Sequence, residues 1–186
     1  MLPIIDWAPI SWPPLGQSTM VIVYEKPKGD RIIDQISSNK LNVDIYDIPL
    51  LIAKPILSVI EGLEAQKLCH RSISAQNLFF FDKKMKSIVL GDNASAPPGF
   101  HQESIYEPIE RAMCNPEGRG EGETSDDIYA LGVTIGVLLL GFNPMKSLEQ
   151  EDQIRERITR GSFDAIFGKA NFSAAATHYR LMRRSG

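Results

Sequence analysis

The sequence predicts an α+β fold, mainly α. Residues 47–68 place Leu51, Ile52, Ile56, Val59, Ile60 and Leu63 close to a 3.6-residue period, the mark of a helix with one buried face. Residues 127–140 are apolar on nearly every face, as expected of a helix at the centre of a domain. Strand-like runs are few and short: TMVIVYE at 19–25, then Asn77–Phe81 and Ser87–Leu90.

Taken in order, residues 1–18 hold four prolines and two tryptophans, which predicts an extended, irregular lead-in. The apolar, β-branched run at 19–25 predicts a short buried strand, with Lys26-Pro27-Lys28-Gly29-Asp30 breaking the chain after it. Residues 31–38 are expected to form a short helix. In the helix over 47–68, Pro49 falls near the start, where its missing N–H costs little, and Pro55 is expected to bend it. The next two runs, joined by Asp82-Lys83-Lys84, predict a small hairpin. Residues 91–125 are rich in Gly, Pro and polar residues and lack a period, which predicts a long loop, either functional or disordered. Gly141-Phe142-Asn143-Pro144 ends the central helix, and residues 147–160 and 170–184 are each expected to form a surface helix. Three segments result: a lead-in at 1–18, a strand and its link at 19–30, and the main body at 31–186.

Composition narrows the function classes. The 186 residues are 43% hydrophobic and 23% charged, enough for one globular domain or a large part of one. A net charge of −3 argues against nucleic acid or an anionic membrane as the main partner. Arg180, Arg183 and Arg184 form a small basic cluster, expected to be a solvated tail. Cys69 and Cys114 stand outside any CxxC or metal-ligand spacing, so a reducing, cytoplasmic setting is expected. The N-terminus lacks the basic start and apolar run of a signal peptide, and the apolar stretch at 128–140 is too short to cross a bilayer.

The chemistry-bearing motifs fall on three of these elements. His70-Arg71-Ser72 is followed by Ile73-Ser74-Ala75-Gln76 and then Asn77; Leu90-Gly91-Asp92-Asn93-Ala94 follows the hairpin; Asp127-Ile128-Tyr129-Ala130-Leu131-Gly132 opens the central helix. In this order and spacing they resemble the large lobe of protein kinases, whose catalytic loop reads His-Arg-Asp, four residues, Asn, ahead of an Asp-Phe-Gly motif. The resemblance runs from about residue 20 to about residue 145. In texture, APPGF at 96–100 and GRGEGETSDDIYALG at 118–132 look most like the eukaryotic-like Ser/Thr kinases of bacteria. It implies a protein-kinase-like C-lobe at 31–186, with a remnant of the N-lobe strand and hinge at 19–30.

The resemblance also assigns roles, and several are degenerate. Ser72 stands where the family keeps the Asp that orients the substrate hydroxyl, and a serine is no base near neutral pH. Ser74 stands where many Ser/Thr kinases place a lysine on the γ-phosphate. Asn77 and Asp92 survive as the oxygen ligands that would suit Mg²⁺. Asn93 and Ala94 replace the Phe and Gly of the metal-site motif. Tyr24 would be the gatekeeper and Glu25 the first hinge residue, while Pro27 would lack the N–H that meets adenine. His70 would brace the catalytic loop. Arg71 would pair with an activation-loop phosphate, on Ser95, Ser104 or Tyr106, or else with a local carboxylate. Asp127 would brace the loop through backbone N–H groups, with Gly132 a structural position. The Ala-Pro-Glu site could lie at 115–117 or at 107–110.

No glycine-rich phosphate loop or lysine-bearing strand precedes residue 19, and Lys26 and Lys28 follow the strand rather than precede it. A fragment of a longer chain, incomplete at both ends, is therefore expected ahead of the alternative, a family that never had a full small lobe. The leading expectation is a pseudokinase acting as a regulatory or scaffold module, with weak or no binding of ATP and Mg²⁺. The alternative is an active, atypical Ser/Thr kinase in which Glu103 or Glu107 replaces the missing base. A third is a lobe inert by itself, exposing Val21, Val23 and Leu78 where a small lobe belongs. The expected partner is another protein or that missing lobe, with neither nucleic acid nor membrane.

Overall fold

The computed structural model describes residues 1–38, 46–84, 86–91 and 102–168. It is a mixed fold of helices and two small antiparallel sheets. The first sheet is a hairpin of β1 (Ile4–Trp12) and β2 (Gln17–Tyr24), with Trp7 opposite Ile22 and Pro9 opposite Met20. The turn between them is one tight helical turn at Pro13–Leu15, closed by Gly16 at φ 62°, a left-handed conformation that suits glycine.

This corrects the reading of residues 1–18 as irregular. Four prolines dominated that reading, yet Pro13 and Pro14 belong to the turn and Pro9 sits in a strand with only one sheet partner, where a missing N–H is tolerated. The reading of 19–25 as a buried strand is corrected too. In a two-stranded sheet an apolar run has no second layer to bury it, and Met20 and Val23 are 55% and 46% exposed. Leu78, by contrast, is fully buried and so belongs to the core rather than to an open lobe face.

The hairpin is tied to the rest of the molecule by its backbone. Leu2 N–H donates to the Leu90 carbonyl and Glu25 N–H to that of Pro3, both at 2.8 Å. Residues 28–31 then run along β3 (Leu78–Phe80): Gly29 N–H donates to Phe80 O at 3.1 Å, Phe80 N–H to Asp30 O at 3.0 Å, and Arg31 bridges Phe79. α1 (Ile32–Ser37) follows, burying Ile32, Ile33 and Ile36. The predicted long helix is present in two parts. A wide π-type turn at Pro49–Ala53 passes into α2 (Lys54–Glu64), and the change of winding falls where Pro55 cannot donate an N–H. β3 pairs with β4 (Ile88–Leu90) through a turn in which the Asp82 carboxylate accepts from the N–H of Lys84 and Ser87.

The long stretch predicted as a loop carries structure: a tight turn at Ser104–Tyr106, α3 (Ile109–Ala112) and a second turn at Pro116–Arg119. These elements are too short to show a period, which is why the sequence hides them. α4 (Thr124–Leu140) is the central helix. It begins three residues earlier than predicted because Glu123 and Asp126 form a reciprocal capping box, and it ends at Gly141, φ 76°. α5 (Gln150–Arg160) matches the predicted acidic-to-basic helix, and α6 (Ser162–Phe167) follows it unpredicted. The helix expected over 170–184, with its arginine cluster, lies outside the described residues. No described helix is long and apolar enough to cross a membrane.

One core joins these pieces: Ile32, Ile36, Ile52, Ile56 and Ile60 meet Ile73, Leu78, Phe80, Leu90, Val137 and Leu138. Two glycines of α4 behave oppositely. A Cβ at Gly136 would overlap the Phe167 ring that packs on it, whereas among the described residues nothing lies within 4 Å of a Cβ at Gly132. Gly136→Ala should therefore cost about 1–3 kcal/mol by overpacking. Gly132→Ala should be neutral or stabilise by about 0.5–1 kcal/mol, because alanine gains helix propensity there without a clash. Urea unfolding of the two variants checks the contrast.

Candidate active-site cleft

The loop at residues 69–77 lies between α2 and β3 and is anchored from α4. His70 and Arg71 are buried, while Ser72 and Ser74 are half-buried. Arg71 adopts a left-handed backbone, φ 56°, which costs a residue with a Cβ about 1–2 kcal/mol. Contacts on both sides hold it there. Asp127, in the first turn of α4, accepts the His70 N–H on Oδ2 at 2.7 Å and the Arg71 N–H on Oδ1 at 2.9 Å. The Arg71 side chain then runs inward. Its Nη2 donates to both oxygens of Glu107, at 3.0 and 2.8 Å, and Nη1 donates to the Gly120 carbonyl at 3.2 Å. Burial pushes Asp127 above the usual carboxylate range against the pull of its two N–H donors, and does the same to Glu107 against Arg71.

Asn77 ties the end of the loop to β4. Its Nδ2 donates to the Ser72 carbonyl at 2.8 Å, to Ser72 Oγ at 3.2 Å and to the Gly91 carbonyl at 2.9 Å, and Gly91 N–H donates back to the Asn77 carbonyl. The amide hydrogens are engaged by the protein, so Oδ1 is the atom of Asn77 with the chemistry to meet a hard cation such as Mg²⁺. That oxygen faces Gly91, where an added Cβ would come within 2.7 Å of it and 2.9 Å of the Phe79 ring. Gly91→Ala should displace Asn77 and destabilise the chain by about 1–3 kcal/mol, seen as a lower thermal midpoint. The other proposed metal ligand, Asp92, lies outside the described residues with Asn93, Ala94 and Ser95.

These residues border a cleft of about 440 Å³. Tyr24, Ser72, Ser74 and Asn77 line it together with Arg31, Phe79 and, across from them, Glu103. Glu25 and Pro27 do not line it. The Glu25 N–H is taken by Pro3, and Pro27 borders a neighbouring cleft of about 470 Å³ with Lys26 and Arg31. His70 sits behind the loop, where its Nδ1 accepts the Ser72 N–H at 3.2 Å.

Two sequence readings need correction, and an alternative left open for Arg71 is decided. Arg71 pairs with a local carboxylate, that of Glu107, and not with a phosphate acceptor at Ser104 or Tyr106. Both of those hydroxyl residues are buried: Ser104 Oγ donates to Gln153 Oε1 at 2.8 Å, and burial raises the Tyr106 phenol well above its ordinary value. Glu107, fully buried in the Arg71 pair, is no free base for the cleft, whereas the exposed Glu103 lines it and accepts from Asn143 Nδ2 at 3.0 Å. Gly132 shows no close packing that requires glycine. Of the two Pro-Glu stretches, 107–110 is bound to the loop through Glu107, and 115–117 opens a turn in which Asn115 Oδ1 accepts the Gly118 N–H, with Asn115 and Glu117 exposed.

Sequence reasoning missed Arg31 and Arg157. Arg157, on a helix read as solvated, is 1% exposed; its Nη2 donates to the Glu107 carbonyl at 2.6 Å and to the Tyr129 hydroxyl at 3.1 Å, and Nη1 to the Ser104 carbonyl. Its Nε bonds the nearby Ser162 hydroxyl, but no local signal marks its burial, because Tyr129, Glu107 and Ser104 lie 28 to 53 positions away.

Comparison with known proteins agrees in outline. No family model matches the chain. Calcium-dependent protein kinase 3 of Plasmodium yoelii yoelii is 22% identical over 158 residues, covering 80% of this chain and 28% of that protein. Calcium-dependent protein kinase 3 of Plasmodium berghei (strain Anka) is 22% identical over 158 residues, covering 80% and 27%. The chain thus spans little more than a quarter of these relatives' length, and neither relative is bacterial. The similarity is distant and supports a protein-kinase-like relationship across four fifths of the chain.

Proposed function

We propose that this chain is a protein-kinase-like module that has lost phosphoryl transfer and acts as a regulatory or scaffold element through protein contacts. The observation that carries this reading is Ser72. It lines the cleft beside Asn77 and is bonded to it, at the place where the resemblance requires a carboxylate. A positioned acid–base group is worth about 10²–10⁴-fold in rate, and a serine supplies neither the proton acceptor nor the charge. The survival of the Asp127 brace fits the same reading, since it holds the loop whatever the loop does.

One observation favours a second reading, an atypical Ser/Thr kinase that transfers the ATP γ-phosphate to a protein hydroxyl. Glu103 faces the same cleft and is exposed, as a displaced base must be. Labelled ATP with Mg²⁺ and a generic protein substrate separates the two. The expected result is no transfer above background for the wild type and for Glu103→Gln alike. Transfer by the wild type that disappears in Glu103→Gln would establish the kinase reading instead.

A further inference from the structure

We propose that the outer edge of β2 docks a second copy of this chain, the two hairpins joining antiparallel into one four-stranded sheet in the order β1-β2-β2-β1. Such a dimer gives the protein-contact role above a partner and rests on that role only for its purpose. Association and phosphoryl transfer are measured separately, so either can fail alone.

The hairpin stands off the core. Leu2 and Tyr24, at its base, line the cleft, whereas all nine residues of β1 are exposed. Seven of its large apolar side chains are 36–66% exposed, Trp7 at 65% and Met20 at 55% among them. At about 200 Å² for a large side chain in full view of water, they leave roughly 700 Å² open. That exceeds the largest apolar patch of a typical monomer, about 300–600 Å², and approaches the roughly 800 Å² each partner gives a standard interface. Two strands alone are marginal in water, and a third strand or a second layer is what makes a sheet stable.

The two edges of the hairpin differ. On β1, Pro9 has no N–H, the Trp7 N–H is given to the Asp6 carboxylate at 2.8 Å, and the register slips between Ile4 and Asp6. Proline, a charge and a bulge are the devices that keep an edge strand from pairing. β2 carries none of them: QSTMVIVY holds no proline and no charge, its own residues pair without a gap, and among the described residues no strand covers its far side. Trp7 and Pro9 stand opposite Ile22 and Met20 and give them no N–H, so these are the pairs whose backbone groups point outward. Met20 and Ile22 thus present N–H and C=O to the open edge.

A second copy fits that edge. An uncharged strand run antiparallel to itself about a two-fold axis meets no like charge, and every contact is made twice. The pairing uses both β2 edges and leaves only the guarded β1 edges outside, so assembly stops at two.

Sedimentation velocity of the whole chain at micromolar concentrations tests this. The wild type should sediment as a dimer that dissociates on dilution. Met20→Lys should weaken the dimer at least tenfold, because the two lysines face each other across the axis; Met20 is exposed, so the variant should keep the wild-type far-UV spectrum. Ile5→Lys, as exposed but on β1, should match the wild type. Amide exchange at Met20 and Ile22 should slow as the protein is concentrated, and should not in Met20→Lys. A monomeric wild type overturns the proposal, and so do open-ended aggregates. A loss in Ile5→Lys as large as that in Met20→Lys, or exchange at Met20 and Ile22 that ignores concentration, overturns it as well.

Discussion

Arg71→Met is expected to remove about 3–5 kcal/mol of folding free energy, a large part of the roughly 5–15 kcal/mol that holds a domain of this size together. The reason is the environment of Glu107. Both side chains of the pair are about 1% exposed, and Arg71 Nη2 contacts both carboxylate oxygens. Removing the cation leaves a buried charge whose cost is no longer offset. Glu107→Leu should be the milder single change, because the stranded guanidinium keeps the Gly120 carbonyl and has Asp126 Oδ2 at 3.9 Å. The double variant Arg71→Met/Glu107→Leu should return to within about 1–2 kcal/mol of wild type, since an apolar pair of similar volume carries no desolvation penalty. Urea unfolding followed by far-UV circular dichroism is the appropriate measure. Trp7 and Trp12 lie exposed on the hairpin and report poorly on this core. A double variant as unstable as the sum of the singles would mean that the charges act independently.

That pair also shows where the sequence was legible and where it was not. The helical period over 47–68, the apolar continuity of 127–140 and the short runs before and after Asp82 are local signals, and each predicted an element that is present. The spacing from His70 to Asn77 likewise placed Ser72, Ser74 and Asn77 on one loop, and they share one cleft. What failed was decided by partners distant in sequence. β1 is a strand because residues 17–24 pair with it, and its prolines taken alone argue otherwise. A local carboxylate was one of the two partners expected for Arg71, but that it is Glu107 was not legible: α3 and its flanking turns fold that carboxylate inward, and those elements are too short to announce themselves. Arg31 reaches the cleft only because residues 28–31 run along β3.

Asp127→Asn is expected to cost about 2–4 kcal/mol, although the substitution changes a single heavy atom. The Asp127 carboxylate accepts two backbone N–H groups at 2.7 and 2.9 Å, both in a buried setting. Asparagine can accept one of them but must turn its NH₂ toward the other, leaving a buried donor facing a donor, at roughly 1–3 kcal/mol plus the lost charge-assisted bond. Its effect should be local as well as global. Arg71 keeps its left-handed backbone only while both sides hold it, so hydrogen exchange at the His70 and Arg71 amides should quicken more than exchange in α2. The pH dependence has a definite sign. Burial raises the Asp127 carboxyl above its ordinary value, so the folded chain keeps this proton to a higher pH than the unfolded chain does. Between those two values the folded state binds more protons, and the stability contributed at this site falls as pH rises. Asparagine cannot titrate, so the variant should lack this component of the pH dependence. Equal exchange rates at His70 and Arg71 in the two proteins, with unchanged unfolding midpoints, would mean that the loop at residues 69–77 is held by something other than the first turn of α4.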